Sequence, residues 1–165
     1  MVVLHRITLE LTSQYKAVRL QALRDSPTAF CSTYAGECLF SEEEWSRCAQ
    51  NLNGERAVGY MAFVEDKYCG LVVCFLDKED AATAHLVSMW VAPEYRRTGA
   101  GRLLVNAIIE WANKRGAKTL HLMVTSSNDA ATAFYRSLGF SWTGRTEPYP
   151  NDAALIEYEM TRPIP

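Results

Sequence analysis

Between Thr83 and Val124 the chain reads as an apolar β-rich run, a turn carrying two glycines, an amphipathic helix and a second β-rich run. That order constrains the fold more than any other feature, because two strands joined through a helix lie parallel in one sheet, linked by a right-handed crossover. The turn is Arg96-Arg97-Thr98-Gly99-Ala100-Gly101-Arg102. Gly99 and Gly101 let the main chain bend tightly with its N–H groups inward. The helix that follows adds its positive N-terminal end, so a diphosphate can be held largely by backbone.

The other elements place this unit. Val2 to Leu11 alternates as a strand does, and Thr12-Ser13 offers a cap for a helix that buries Tyr15, Val18, Leu20 and Leu23 and stops near Ser26-Pro27. Residues 27–40 read as a loop, and Ser41 with Glu44 forms a capping box for a second helix through Trp45. Arg56 to Val64 and Tyr68 to Leu76 form a hairpin about Glu65-Asp66-Lys67, and Thr83 to Val91 continues the meander. Leu103, Leu104, Ala107, Ile108 and Trp111 mark the core face of the crossover helix, which ends at Gly116. Strand Thr119 to Val124, a helix from Ser127 or Asn128 to Leu138, and the runs Phe140 to Arg145 and Ala154 to Met160 complete the chain. The fold class is α+β: a central mixed, mostly antiparallel sheet of about seven strands with helices on both faces.

Residues 1–165 have the length of one ordinary domain, able to bury a core without disulfides or a structural metal. Only Thr161 to Pro165 is expected to lack order. A net charge of −2 gives no general attraction to nucleic acid or to an anionic membrane, whereas Arg96, Arg97 and Arg102 form a local cationic patch suited to a small anion. Five cysteines without a C-x-x-C pair, and no apolar leader, are expected of a reduced cytoplasmic chain. No apolar stretch approaches the roughly 20 residues of a spanning helix. Scattered histidines give no metal-ligand spacing. The turn is neither G-x-G-x-x-G nor a Walker loop, so dinucleotide and nucleoside-triphosphate readings lose their defining residues.

The stretch from Met89 to Arg102 resembles the acyl-CoA-binding motif of the GNAT superfamily of N-acetyltransferases, with Arg96, Gly99 and Gly101 at the Arg/Gln-x-x-Gly-x-Gly/Ala positions. Asn128, Ala131, Phe134, Tyr135, Gly139 and Phe140 resemble the family's Asn-x-x-Ala-x-x-Phe-Tyr-x-x-x-Gly-Phe stretch. The order of elements from residue 2 to 160 fits that fold. The resemblance implies acetyl-CoA as cofactor and direct transfer of its acetyl group to a primary amine, with a small-molecule amine expected and a protein or peptide amine as the alternative. A non-catalytic acyl-CoA-binding module is the rival from another class. A homodimer is a further expectation that no particular residue marks.

The resemblance also implies residue roles. Backbone N–H groups of Arg97, Thr98, Gly99, Ala100, Gly101 and Arg102, with Arg96, are expected to hold the diphosphate. Met89, Trp90 and Val91 are expected to run beside the pantetheine arm on a strand that separates from its parallel neighbour, with Asn128 and Ala131 across the cleft. Tyr135 is the expected proton donor to the leaving thiolate, since a phenol of ordinary pKa about 10 can donate to the conjugate base of a thiol near 8.5. The strand before the turn carries no glutamate, which leaves His85 or Glu37 to take the amine proton. Phe30, Tyr34, Glu37, Tyr149 and Asp152 are expected around the acceptor, aromatics and carboxylates suiting a cationic amine. His5 and His121 read as structural.

Overall fold

A computed structural model describes residues 1–165. In chain order its strands and helices are β1 (Val3–Arg6), α1 (Thr12–Asp25), α2 (Tyr34–Glu37), α3 (Glu42–Asn51), β2 (Ala57–Val64), β3 (Lys67–Leu76), β4 (Thr83–Val91), α4 (Ala100–Lys114), β5 (Thr119–Thr125), α5 (Asp129–Ser137), β6 (Ser141–Pro148) and β7 (Ile156–Pro163). The seven strands form one sheet in the order β1-β2-β3-β4-β5-β7-β6, with β4 and β5 parallel and every other pair antiparallel.

Alternation along the central strands divides the apolar residues between two cores. Val58, Ala62, Val72 and Cys74 join Leu104, Val105, Ile108 and Trp111 of α4, while Met61 and Leu71 join Tyr15, Val18, Leu23 and Trp45 of α1 and α3. Each large aliphatic side chain fully removed from water contributes about 1.5–3 kcal/mol, so the sheet is held from both faces. The Ser41/Glu44 capping box is formed, fixing the start of α3.

Three local expectations are corrected. Residues 27–40 are not a plain loop: Pro27–Ala29 is a 3-10 turn and Tyr34–Glu37 a helical turn whose Thr33 side chain accepts from the Gly36 amide. Leu103 is 42% exposed although its spacing assigned it to the core face of α4. The tail is ordered through Pro163, because the Ile164 amide donates to the Lys118 carbonyl and β7 inserts between β5 and β6.

Candidate functional site

The site follows from how β4 and β5 part. They pair only at Thr83–Thr119, Ala84–Leu120 and His85–His121, although β4 runs on to Val91 and β5 to Thr125. The cause lies in β4. Between its pairings Val87–Val73 and Trp90–Leu71 it carries one residue more than β3, and Ser88 within that bulge has φ 56°. A bulge bends and twists its strand away from the regular ladder. Ser88 is secured there by α1, whose Arg19 donates from Nη1 to Ser88 Oγ at 2.7 Å. The parting opens a cleft of about 480 Å³.

At the end of β4 lies the glycine turn. None of the amides of residues 97–102 donates to a protein acceptor, and Leu103 is the first to return a helical bond, to the Gly99 carbonyl. Gly99 starts α4 from φ 94°, a left-handed value that glycine adopts without steric cost. Gly101 answers a different demand: a Cβ there would sit 3.1 Å from Phe134 Cζ and 3.3 Å from Met89 Cε, so its absence lets α4 approach α5 and β4. Free amides at a helix N-terminus can receive an anion. The arginines serve differently. Arg96 turns back, donating from Nε to the Val91 carbonyl at 2.8 Å and from Nη2 to Asp25 at 2.9 Å, where Trp90 Nε1 also donates. Burial acts to raise the Asp25 pKa, but the bonds from Trp90, Ser26 and Arg96 outweigh it and hold the carboxyl below its usual range. Arg97 and Arg102 are exposed, and Thr98 Oγ1 donates to the Tyr95 carbonyl.

Six of the expected site residues line the cleft: Phe30, His85, Met89, Asn128, Ala131 and Tyr135. Asn128 caps α5, its Oδ1 accepting from the Ala131 amide at 3.1 Å. Tyr135 is buried between Phe134 and Phe140, its hydroxyl has no protein partner, and burial pushes its pKa well above that of free tyrosine. A phenol held protonated in a cleft is a proton donor awaiting an acceptor. His85 Nε2 lies 2.9 Å from Asp77 Oδ2, and its ring stacks on Phe75.

The rest of the expected set lies elsewhere. Glu37, on α2, is clasped by Arg19 in two bonds of 2.9 and 2.8 Å and borders a second, 290 Å³ cavity under α3. Both oxygens of this carboxylate are thus engaged, and breaking the pair would strand the Arg19 guanidinium in the interior. The Tyr149 hydroxyl donates to the Phe30 carbonyl at 2.5 Å and lies 3.0 Å from that of Pro27, pinning the last hairpin to the segment after α1. The Arg24 guanidinium covers the Tyr34 ring, and Asp152 accepts from the Ala154 amide in a turn.

Sequence reading missed the opposite wall. Glu147, Glu157, Glu159 and Arg145 from β6 and β7 line the cleft with Cys31, and so does His121, which reads as structural in the sequence. The one available signal was the alternation Glu157-Tyr158-Glu159, which puts both carboxylates on a single face of β7.

Comparison with known proteins gives the lineage. The model of the Acetyltransferase (GNAT) family matches residues 20–140. A stretch of 98 residues is 37% identical to the ribosomal protein bS18-alanine N-acetyltransferase of Escherichia coli, spanning 59% of this chain and 64% of that protein's length. Two solved structures share the fold. A GNAT-family acetyltransferase of Streptococcus pneumoniae superimposes over 100% of both chains with TM-score 0.81 at 22% identity. The PaiA N-acetyltransferase of Thermoplasma acidophilum, solved in complex with coenzyme A, does so over 99% of both with TM-score 0.69 at 18% identity. With the parted strands, the donor-rich turn and the family match in agreement, this chain belongs to the GNAT acetyltransferase family.

Proposed function

We propose that the chain transfers an acetyl group from acetyl-CoA directly to a primary amine. One observation carries this reading: β4 and β5 part after His85 and His121, and the gap ends at a turn whose amides at residues 97–102 have no protein acceptor. Those amides suit the diphosphate of coenzyme A, and the main chain of β4 beyond His85 suits the amide-bearing pantetheine arm. Acetyl-CoA supplies the activated acetyl group. The chain's own part is to fix the thioester beside Tyr135, which gives its proton to the departing sulfur, and to present the amine from the carboxylate wall.

Two acceptor classes fit that wall. A peptide α-amine is favoured by the activity of the Escherichia coli relative, an N-acetyltransferase of an alanine of a ribosomal protein. A small polyamine is favoured by the three carboxylates Glu147, Glu157 and Glu159 in one cleft. Coenzyme A release measured with alanine-initiated peptides and with diamines separates them: turnover with peptides alone removes the small-molecule acceptor. Tight binding of acetyl-CoA with no release for any amine makes the chain a binding module.

A further inference from the structure

Among the acidic groups of the cleft, one has no cationic partner. Glu159 accepts from Arg145 Nη1 at 3.3 Å and Thr143 Oγ1 at 3.0 Å, with His121 Nδ1 3.6 Å away. Glu147 is paired with the same Arg145. Glu157 is buried, with 8% exposure, and forms no ion pair. Its one donor is the weakly donating Cys31 thiol, 3.9 Å from Oε1. Directly across the ladder stands Glu147, a second negative charge. Burial first, and then Glu147, push the Glu157 carboxyl above its usual range.

A carboxylate kept from water without a cation is costly, and a protein with no use for it would be as stable or more so with an apolar side chain there. We infer that Glu157 receives the acceptor ammonium and takes the proton that frees its lone pair for attack. This rests on the acetyl-transfer reading. The Glu157 carboxylate removes one proton from the bound ammonium, and the amine nitrogen then bonds to the acetyl carbon. As the carbon–sulfur bond breaks, the sulfur takes the Tyr135 proton and the nitrogen loses its second proton to water. The proton on Glu157 returns to the Tyr135 oxygen through the cleft, leaving both groups as they began.

The pH dependence follows from the groups that face Glu157. Those lining the cleft with it are Arg19 of α1, Cys31, His85 of β4, His121 of β5, Tyr135 of α5, and Arg145, Glu147 and Glu159 of the last hairpin, of which Cys31 and Glu147 stand directly against it. The active form is ionised, so turnover rises with pH through the raised Glu157 pKa. Glu147→Gln removes the neighbouring charge and moves that acidic limb to lower pH.

The test compares wild type, Glu157→Gln and Glu157→Asp with an alanine-initiated peptide, a diamine and aniline. Glu157→Gln is expected to lose about a hundredfold in kcat with the peptide or the diamine, the usual scale for one acid–base group. It keeps its coenzyme A affinity within about twofold and loses under tenfold with aniline, which arrives unprotonated. Glu157→Asp retains the acidic limb. A readout independent of turnover is the carboxyl resonance of Glu157 followed by NMR against pH, expected to titrate above the ordinary glutamate range and to fall in Glu147→Gln. Active wild type with an unaltered Glu157→Gln profile, or a Glu157 carboxyl titrating in the ordinary range, overturns this inference alone. Wild type inert with every amine while holding coenzyme A overturns the enzymatic reading, and the proton step with it.

Discussion

The two walls of the cleft are built by opposite means. On the cofactor side, from β4 through the turn into α4 and on to α5, recognition is assigned to main chain: free amides, an unpaired strand edge and two glycines. On the acceptor side, formed by the segment after α1 and the β6–β7 hairpin, it is assigned to side chains held by contacts across more than a hundred residues, as the Cys31 thiol meets Glu157 and the Tyr149 hydroxyl meets the Phe30 carbonyl. Backbone recognition needs only a particular chain path. Side-chain recognition needs particular residues, so the acceptor wall is where relatives of one fold can diverge in substrate.

Variants can break that contrast. The largest effect is expected at Tyr135, which belongs to the cofactor side by sequence yet is proposed to serve the chemistry through its side chain. Tyr135→Phe should lower kcat by about a hundredfold or more while coenzyme A affinity, measured by calorimetry, changes less than threefold. Equal losses in both would make the ring a packing element only. Gly99→Ala is expected next: a left-handed conformation costs a residue with a Cβ about 1–2 kcal/mol, so coenzyme A should bind roughly tenfold more weakly, with the acceptor KM unchanged. A shift in acceptor KM instead would blur the two walls into one. Asp25→Asn removes the anchor shared by Arg96 and Trp90, and a loosened turn should weaken coenzyme A a few-fold. The smallest effect belongs to stability. Because the folded-state pKa of Glu157 lies above its usual value, its favourable contribution is present below the ordinary glutamate pKa and lost as pH rises through the raised one. Glu157→Gln should therefore leave the melting temperature at pH 7 unchanged or slightly higher, whereas a clear fall would make this carboxylate structural.

The same contrast explains what the sequence discloses. The limits of β4 and the helix after the glycine turn follow from short-range pattern: β-rich runs, glycine positions and apolar spacing. The resemblance carried Tyr135 into the cleft for the same reason, since its motif lies on α5 and the residues at its two ends. Glu37 shows where local reading ends, because its Arg19 partner comes from another helix and no spacing announces the pair. Tyr149 is similar: its hydroxyl is engaged by carbonyls of a distant loop. Glu157 and Glu159 alternate with Tyr158 as solvent-facing residues of an edge strand would. Only the insertion of β7 beside β5, and the parting of β5 from β4, turns that polar face inward.

The central claim is that the amides of residues 97–102 hold a diphosphate at the mouth of the parted strands. Amide-resolved NMR during titration with coenzyme A tests it most directly. The expected result is that resonances of residues 97–102 and of β4 beyond His85 move together to saturation, while those of residues 149–155 stay in place. Saturable binding that leaves the turn unmoved, or shifts confined to the cavity beneath α3, would contradict it.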